Sequence, residues 1–127
     1  MSCESPAIAF DASVVQPPFT GVQNAVREQA AALLELWRPG EAAIITGDDG
    51  LARLAAERQA PVFACPPFKA GRTLRIAWQQ LCLPRLLRQR RISALHAGAY
   101  TAPWRCPVPY LLNVHDVIAI DHPRLCS

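Results

Sequence analysis

Three short runs decide the fold: Ala7-Ile8-Ala9-Phe10, Ala42-Ala43-Ile44-Ile45-Thr46 and Pro61-Val62-Phe63-Ala64-Cys65. None alternates apolar with polar residues. Each therefore reads as a strand covered on both faces, which is the pattern of a parallel sheet. Between the first two, Val22, Val26, Leu33 and Trp37 recur at helical spacing with Ala25 and Ala30 among them, and Pro39-Gly40 ends the pattern. Between the second and third lies the turn Gly47-Asp48-Asp49-Gly50, where Asp48 or Asp49 can cap a helix over 51–59.

Past Pro66-Pro67 an Arg-rich helix is expected over 72–91, kinked or split by Pro84. Ala94-Leu95-His96-Ala97 reads as a fourth strand and Tyr110-Leu111-Leu112-Asn113-Val114 as a fifth. A Pro- and aromatic-rich loop, Tyr100 to Pro109, separates them. Strands that alternate with helices predict an α/β, Rossmann-like three-layer domain with a mainly parallel sheet. A length of 127 residues suits one domain, and 12 prolines argue for many short elements over a long helical bundle.

Apolar residues make up 51% and charged residues 18%, a globular and not a disordered profile. The net charge of +3 hides a strong asymmetry: residues 58–115 hold nine bases and no acid, whereas residues 1–57 hold eight acids and three bases. The basic stretch should give one face a positive potential suited to phosphate or anionic headgroups, or simply form a solvated Arg-rich helix. Its candidate members are Arg72, Arg75, Arg85, Arg88, Arg90 and Arg91. Nucleic acid is not expected, because no helix-turn-helix, RRM or zinc pattern appears.

Five cysteines at wide spacing, with no CxxC, indicate neither a zinc site nor a disulfide framework. Cys65 and Cys82 are expected to be buried small hydrophobes, and free thiols fit a reducing cytoplasm. The first six residues lack the features of a signal peptide, and no run is long and apolar enough to span a bilayer. A cytoplasmic protein is expected, with peripheral contact at the inner face of the membrane as an option.

Ligands of open parallel sheets bind beyond the carboxyl ends of the strands. Three polar constellations are expected there: Asp11 to Gly21, His96 to Tyr100, and His115-Asp116. Thr20-Gly21 at a helix start is either an N-cap turn or an anion-binding turn. There is no GxGxxG and no P-loop. His115 could donate to a substrate hydroxyl with Asp116 orienting it, or Asp116 could cap a short helix. His96 reads as a satisfied core or hinge histidine. Trp37 and Trp78 read as helix-face core residues, and Tyr100 and Trp104 as pocket lining or loop anchors. The spacing of Asp121-His122 from His115-Asp116 fits no standard metal site, so no metal or other cofactor is expected.

In order along the chain, Ile8-Ala9-Phe10-Asp11, Thr20-Gly21-Val22 with Arg27-Glu28, Trp78 with Leu83-Pro84, Leu95-His96-Ala97, and Asn113-Val114-His115-Asp116 with His122-Pro123 resemble the N-terminal half of family-4 glycosyltransferases of the GT-B fold. That family comprises retaining, nucleotide-sugar-dependent enzymes and includes bacterial mannosyltransferases of polysaccharide biosynthesis. The resemblance implies an acceptor-binding domain over residues 1–127 that works across a cleft from a donor-binding domain. It implies that Gly21 approaches the donor diphosphate and that His115 and Asp116 serve catalysis of hexosyl transfer. Tyr100 and Trp104 would meet a glycan or lipid-linked acceptor. The first loop carries one glycine where relatives carry a pair, and no EX7E-type segment occurs. A separate donor-binding domain is therefore expected to be absent here, and this chain alone to be inactive. The competing expectation is a non-catalytic α/β module that docks an anionic membrane through residues 58–115.

Overall fold

The computed structural model describes residues 6–16, 21–66, 71–114 and Arg124. Strands β1 (Ile8–Asp11), β2 (Ala42–Thr46), β3 (Val62–Ala64), β4 (Ala94–Ala97) and β5 (Tyr110–Leu112) form one sheet in the order β3-β2-β1-β4-β5, and every pairing is parallel. The chain moves outward from β1 to β3, then crosses to the far side of β1 to make β4 and β5. This is the doubly wound order, with its reversal between β1 and β4.

The two faces of the sheet explain why the apolar runs are continuous. Phe10, Ile44 and Val62 point to one face, against Val26, Ala30 and Leu34 of α1 (Gly21–Leu36) and Leu51 and Ala55 of α2 (Asp49–Glu57). Ala9, Ala43, Ile45, Phe63 and Leu95 point to the other, against Leu83 and Leu87 of α4 (Leu83–Gln89) and the half-buried Trp78 of α3 (Arg72–Leu81). The result is the expected three-layer sandwich. Both faces of the central strands lose water, so Phe10, Ile44, Ile45 and Leu95 are all essentially inaccessible.

Local chemistry sets the boundaries. Asp48 caps α2: its carboxylate accepts from the Leu51 N–H at 2.9 Å, and Arg27 of α1 lies 3.3 Å from its other oxygen. Pro84 splits the Arg-rich helix into α3 and α4 at Cys82, because its ring nitrogen has no hydrogen to donate. At this junction Leu83 and Pro84 turn inward while Leu81 and Cys82 turn to solvent, so Cys82 is exposed and not buried as expected; Cys65 is buried. On α1 the most buried residues are Val26, Ala30 and Leu34, with Val22, Leu33 and Trp37 half-buried beside them.

The connection from β4 to β5, residues 98–109, contains no helix. It packs instead on α3. The Gln79 and Gln80 side-chain amides donate to the Thr101 and Ala102 carbonyls, both at 3.0 Å, and Gln80 Oε1 accepts from the Trp104 N–H. Adjacent glutamines thus satisfy backbone groups that a crossover helix would have paired internally. Among the described residues no helix is long and apolar enough to cross a membrane.

Candidate functional site

The carboxyl edge of the sheet is built around Asp11, the last residue of β1, which is 3% exposed. One carboxylate oxygen accepts from the Ser13 N–H at 2.9 Å, and the other accepts from Gln79 Nε2 at 2.7 Å. Gln79 comes from α3 and donates in the same way to Thr101 O, so one amide ties β1, α3 and the loop after β4 together. The amide orientation follows from these partners: both are acceptors, so the NH2 must face them.

Next to Asp11 the backbones close tightly. The Gly98 N–H donates to Asp11 O at 3.1 Å, and a methyl group added at Gly98 would lie 2.6 Å from that oxygen. Further along the edge, His96 of β4 is held on two sides. Its Nε2 lies 3.0 Å from Asn113 Oδ1, and its ring meets Phe10 edge-on at 4.7 Å between centroids. The Asn113 amide NH2 donates to Gln29 of α1 and to Gly98 O, so its oxygen faces His96 and the Nε2 nitrogen carries the proton. His96 is therefore a satisfied structural histidine. Through Asn113 it fixes the strand end from which the chain leads to His115.

Cys65, directly after β3, is buried, and its pKa is pushed up to about 12 by burial and by the Asp11 charge, against smaller opposing effects of a backbone hydrogen bond and Arg75. Burial thus favours the protonated thiol over the thiolate.

The residues singled out in the sequence distribute as follows. Thr20, His115, Asp116, Asp121 and His122 lie outside the described residues. Gly21 opens α1, has no positive φ, and no described atom lies within 4 Å of where a Cβ would stand. Among the described residues, neither packing nor backbone conformation requires glycine there. Tyr100 adopts a left-handed conformation at φ 57°, with its N–H donating to Asn113 O, and stands half-exposed on the loop after β4. Such a conformation costs free energy in a non-glycine residue and marks a place where the surroundings dictate the backbone. Trp104 lies on the same loop and is 92% exposed.

Of the basic residues, Arg72, Arg85, Arg88, Arg90 and Arg91 are on the surface, with Arg90 over the Phe63 ring. Arg75 is not part of that surface: it is buried at the carboxyl edge, because its helical position faces inward with Gln79. Among the described residues no group of three or more His, Cys, Asp or Glu could hold a metal ion.

Sequence reasoning missed Gln79 and Gln80, whereas Ser13 lies in the expected Asp11-to-Gly21 stretch and Asn113 in the quoted motif, neither with a role of its own. A signal for Gln79 existed. Arg75, Gln79, Leu83 and Leu87 follow one another at four-residue spacing, so two polar residues continue an apolar stripe. No protein-family model, no curated protein and no solved structure matches this chain.

Proposed function

We propose that the chain is the acceptor-side domain of a retaining GT-B-type glycosyltransferase, passing a hexosyl group from a nucleotide sugar to a glycan or lipid-linked acceptor. The observation that carries this reading is the adjacency of β1, β4 and β5 at the sheet's reversal point. These three strands end side by side, and in sequence Gly21, Tyr100 and His115 follow them. In an open α/β sheet that crevice is where ligands bind.

In this reading His115 and Asp116 contact the transferred sugar, and the start of α1 at Gly21 faces the departing diphosphate, whose charge helix N–H groups stabilise. Tyr100 and Trp104 offer aromatic faces to the acceptor. In this reading the domain described binds the acceptor, and a second α/β unit supplies the donor-binding surface. Saturation-transfer NMR on this chain tests the reading. Acceptor-type saccharides give signals that His115→Ala reduces at least tenfold, whereas no signal, or a signal unchanged by that substitution, contradicts it.

A second reading is favoured by the surface around α3. Leu74, Leu81 and Trp104 are 48%, 75% and 92% exposed, and Arg72, Arg85 and Arg88 are exposed on the same pair of helices. Apolar side chains beside arginines suit the headgroup boundary of an anionic bilayer, where each base contributes about 1 kcal/mol. A peripheral domain of this kind would co-sediment with anionic but not neutral vesicles, and Trp104→Ser would weaken that recovery; equal recovery with both vesicle types rules the docking out.

A further inference from the structure

Away from the carboxyl edge, the last turns of α1 and α2 lie beside one another. Arg58, the C-cap of α2, reaches across to Glu35 of α1, with its guanidinium 3.6 Å from that carboxylate. An open depression of about 260 Å³ lies at these two helix ends. Leu34 and Trp37 form its apolar side, and Glu35, Glu57, Arg58 and Gln59 its polar side. The Gly40 N–H donates to Gln59 O at 3.1 Å, which ties the chain after α1 to the chain after α2 and fixes the walls.

Three features make this depression attract a cation. Its lining carries two carboxylates and one guanidinium, a net charge of one negative, and Arg38 beside Trp37 does not line it. Arg58 is engaged with Glu35, whereas among the described residues the Glu57 carboxylate makes no hydrogen bond and no ion pair. The helix ends add to this charge. Neither helix has a base in its last turn, so the negative ends of both dipoles point here without a cation of their own. The end of α1 is also left open: the Arg38 N–H donates to the Glu41 carboxylate at 2.8 Å, Pro39 has no N–H, and Gly40 donates to Gln59. Among the described residues no backbone N–H therefore closes the carbonyls of Leu34, Glu35 and Leu36. The third feature is Trp37, which packs against the core of α1 and α2 and also lines the depression. Indole is the aromatic ring that attracts cations most strongly.

We propose that this depression binds a small organic ammonium ion of the quaternary, methylated kind, with its methyl groups against Trp37 and Glu57 as its counter-ion. Two carboxylates, one of them held by an arginine, are too few for a hard metal ion, and among the described residues no group of three or more His, Cys, Asp or Glu is available for one. A methylated ammonium spreads its charge over an apolar surface, which suits walls that are apolar on one side and acidic on the other. The volume accommodates one such headgroup and is smaller than the usual pocket for a drug-sized ligand. Arg58 acts as the built-in competitor, since it occupies Glu35 and supplies the positive charge that the ligand must overcome. The inference stands on the lining of the depression and does not depend on the transferase reading.

The test titrates choline chloride into the 127-residue chain at constant ionic strength, following backbone amide shifts and the indole N–H of Trp37, which Trp37→Phe assigns. Saturable shifts at residues 34–37 and 57–59 are expected. Neohexanol, the uncharged carbon isostere of choline, should bind at least about fivefold more weakly. Glu57→Gln should weaken choline binding about threefold to fivefold, and Arg58→Gln should strengthen it by a similar factor, because each changes the local charge by one in opposite senses. Both residues are exposed, so neither substitution removes core packing. The proposal fails if choline gives no saturable response, or if its shifts centre outside the two helix ends. Equal binding of neohexanol overturns it too, since the depression would then be merely apolar. So does weaker choline binding in Arg58→Gln, which would make the arginine part of the site and not its competitor.

Discussion

Replacing Gly98 with valine is expected to cost more stability than any other single change at the carboxyl edge. Gly98 follows β4 directly, and its N–H donates to the carbonyl of Asp11, the last residue of β1. A Cβ at this position would stand 2.6 Å from that same carbonyl oxygen, 3.2 Å from Phe10 Cζ and 3.2 Å from Val26 Cγ1. The first contact is with backbone in the middle of the sheet, which cannot move without breaking the pairing of β1 with β4. The other two are with fully buried side chains that have nowhere to go. Overpacking of this kind costs about 1–3 kcal/mol for added methyl groups. Gly98→Ala should fall in that range and Gly98→Val beyond it, a large share of the roughly 5–15 kcal/mol that a domain has in total. Gly21→Ala is the control. Nothing described lies near its Cβ, and alanine favours a helix over glycine by up to about 1 kcal/mol. Urea unfolding of the two variants separates them. A Gly98→Val midpoint equal to wild type would show that β1 and β4 do not approach as closely as the structure has them.

Removing the Asp11 carboxylate should have the second largest effect. Asp11→Ala leaves the Ser13 N–H without its acceptor and the Gln79 NH2 with Thr101 O alone, in a buried place, and it takes away a negative charge that favours the charged form of Arg75. Hydrogen bonds to a charged group are each worth about 1.5–3 kcal/mol, so a loss of about 3–5 kcal/mol follows. Asp11→Asn discriminates the cause. Its oxygen can still accept from Ser13 N, but its NH2 then faces the Gln79 NH2. Rotating the Gln79 amide to relieve that contact would turn Oε1 toward the Thr101 carbonyl. The asparagine variant should therefore lose about 1–2 kcal/mol and loosen the 98–104 loop, seen as faster amide exchange at Trp104. Equal stability of Asp11→Ala and wild type would mean that the carboxylate links nothing.

The architecture is legible because the strand runs are mostly apolar and do not alternate with polar residues. Ala42–Thr46 and Ala94–Ala97 appear with the expected bounds, and Pro84 divides the Arg-rich helix as its missing N–H requires. The edge chemistry was far less legible. Gln79 and Asn113 matter through partners 68 and 17 residues away, on Asp11 and His96, and periodicity carries no information about such pairs. Arg75 was assigned to the basic surface by composition, although its four-residue spacing from Gln79 and Leu83 aligned it with the buried stripe. Cys82 lies between apolar neighbours, of which Leu83 turns inward whereas Leu81, like Cys82 itself, turns to solvent. Burial in three dimensions decided both residues, whereas charge and hydropathy along the chain had suggested the opposite.

The account's central claim is that the ligand-binding face is the carboxyl edge formed by the ends of β1, β4 and β5. Amide shift mapping of the 127-residue chain during titration with a series of acceptor-type saccharides tests it most directly. The predicted result is saturable perturbation confined to residues 11–13, 75–79, 97–101 and 113–114. Perturbation centred instead on the opposite edge, around the shallow depression lined by Leu34, Trp37, Pro39, Arg58 and Gln59, or no saturable perturbation with any of these ligands, would contradict it.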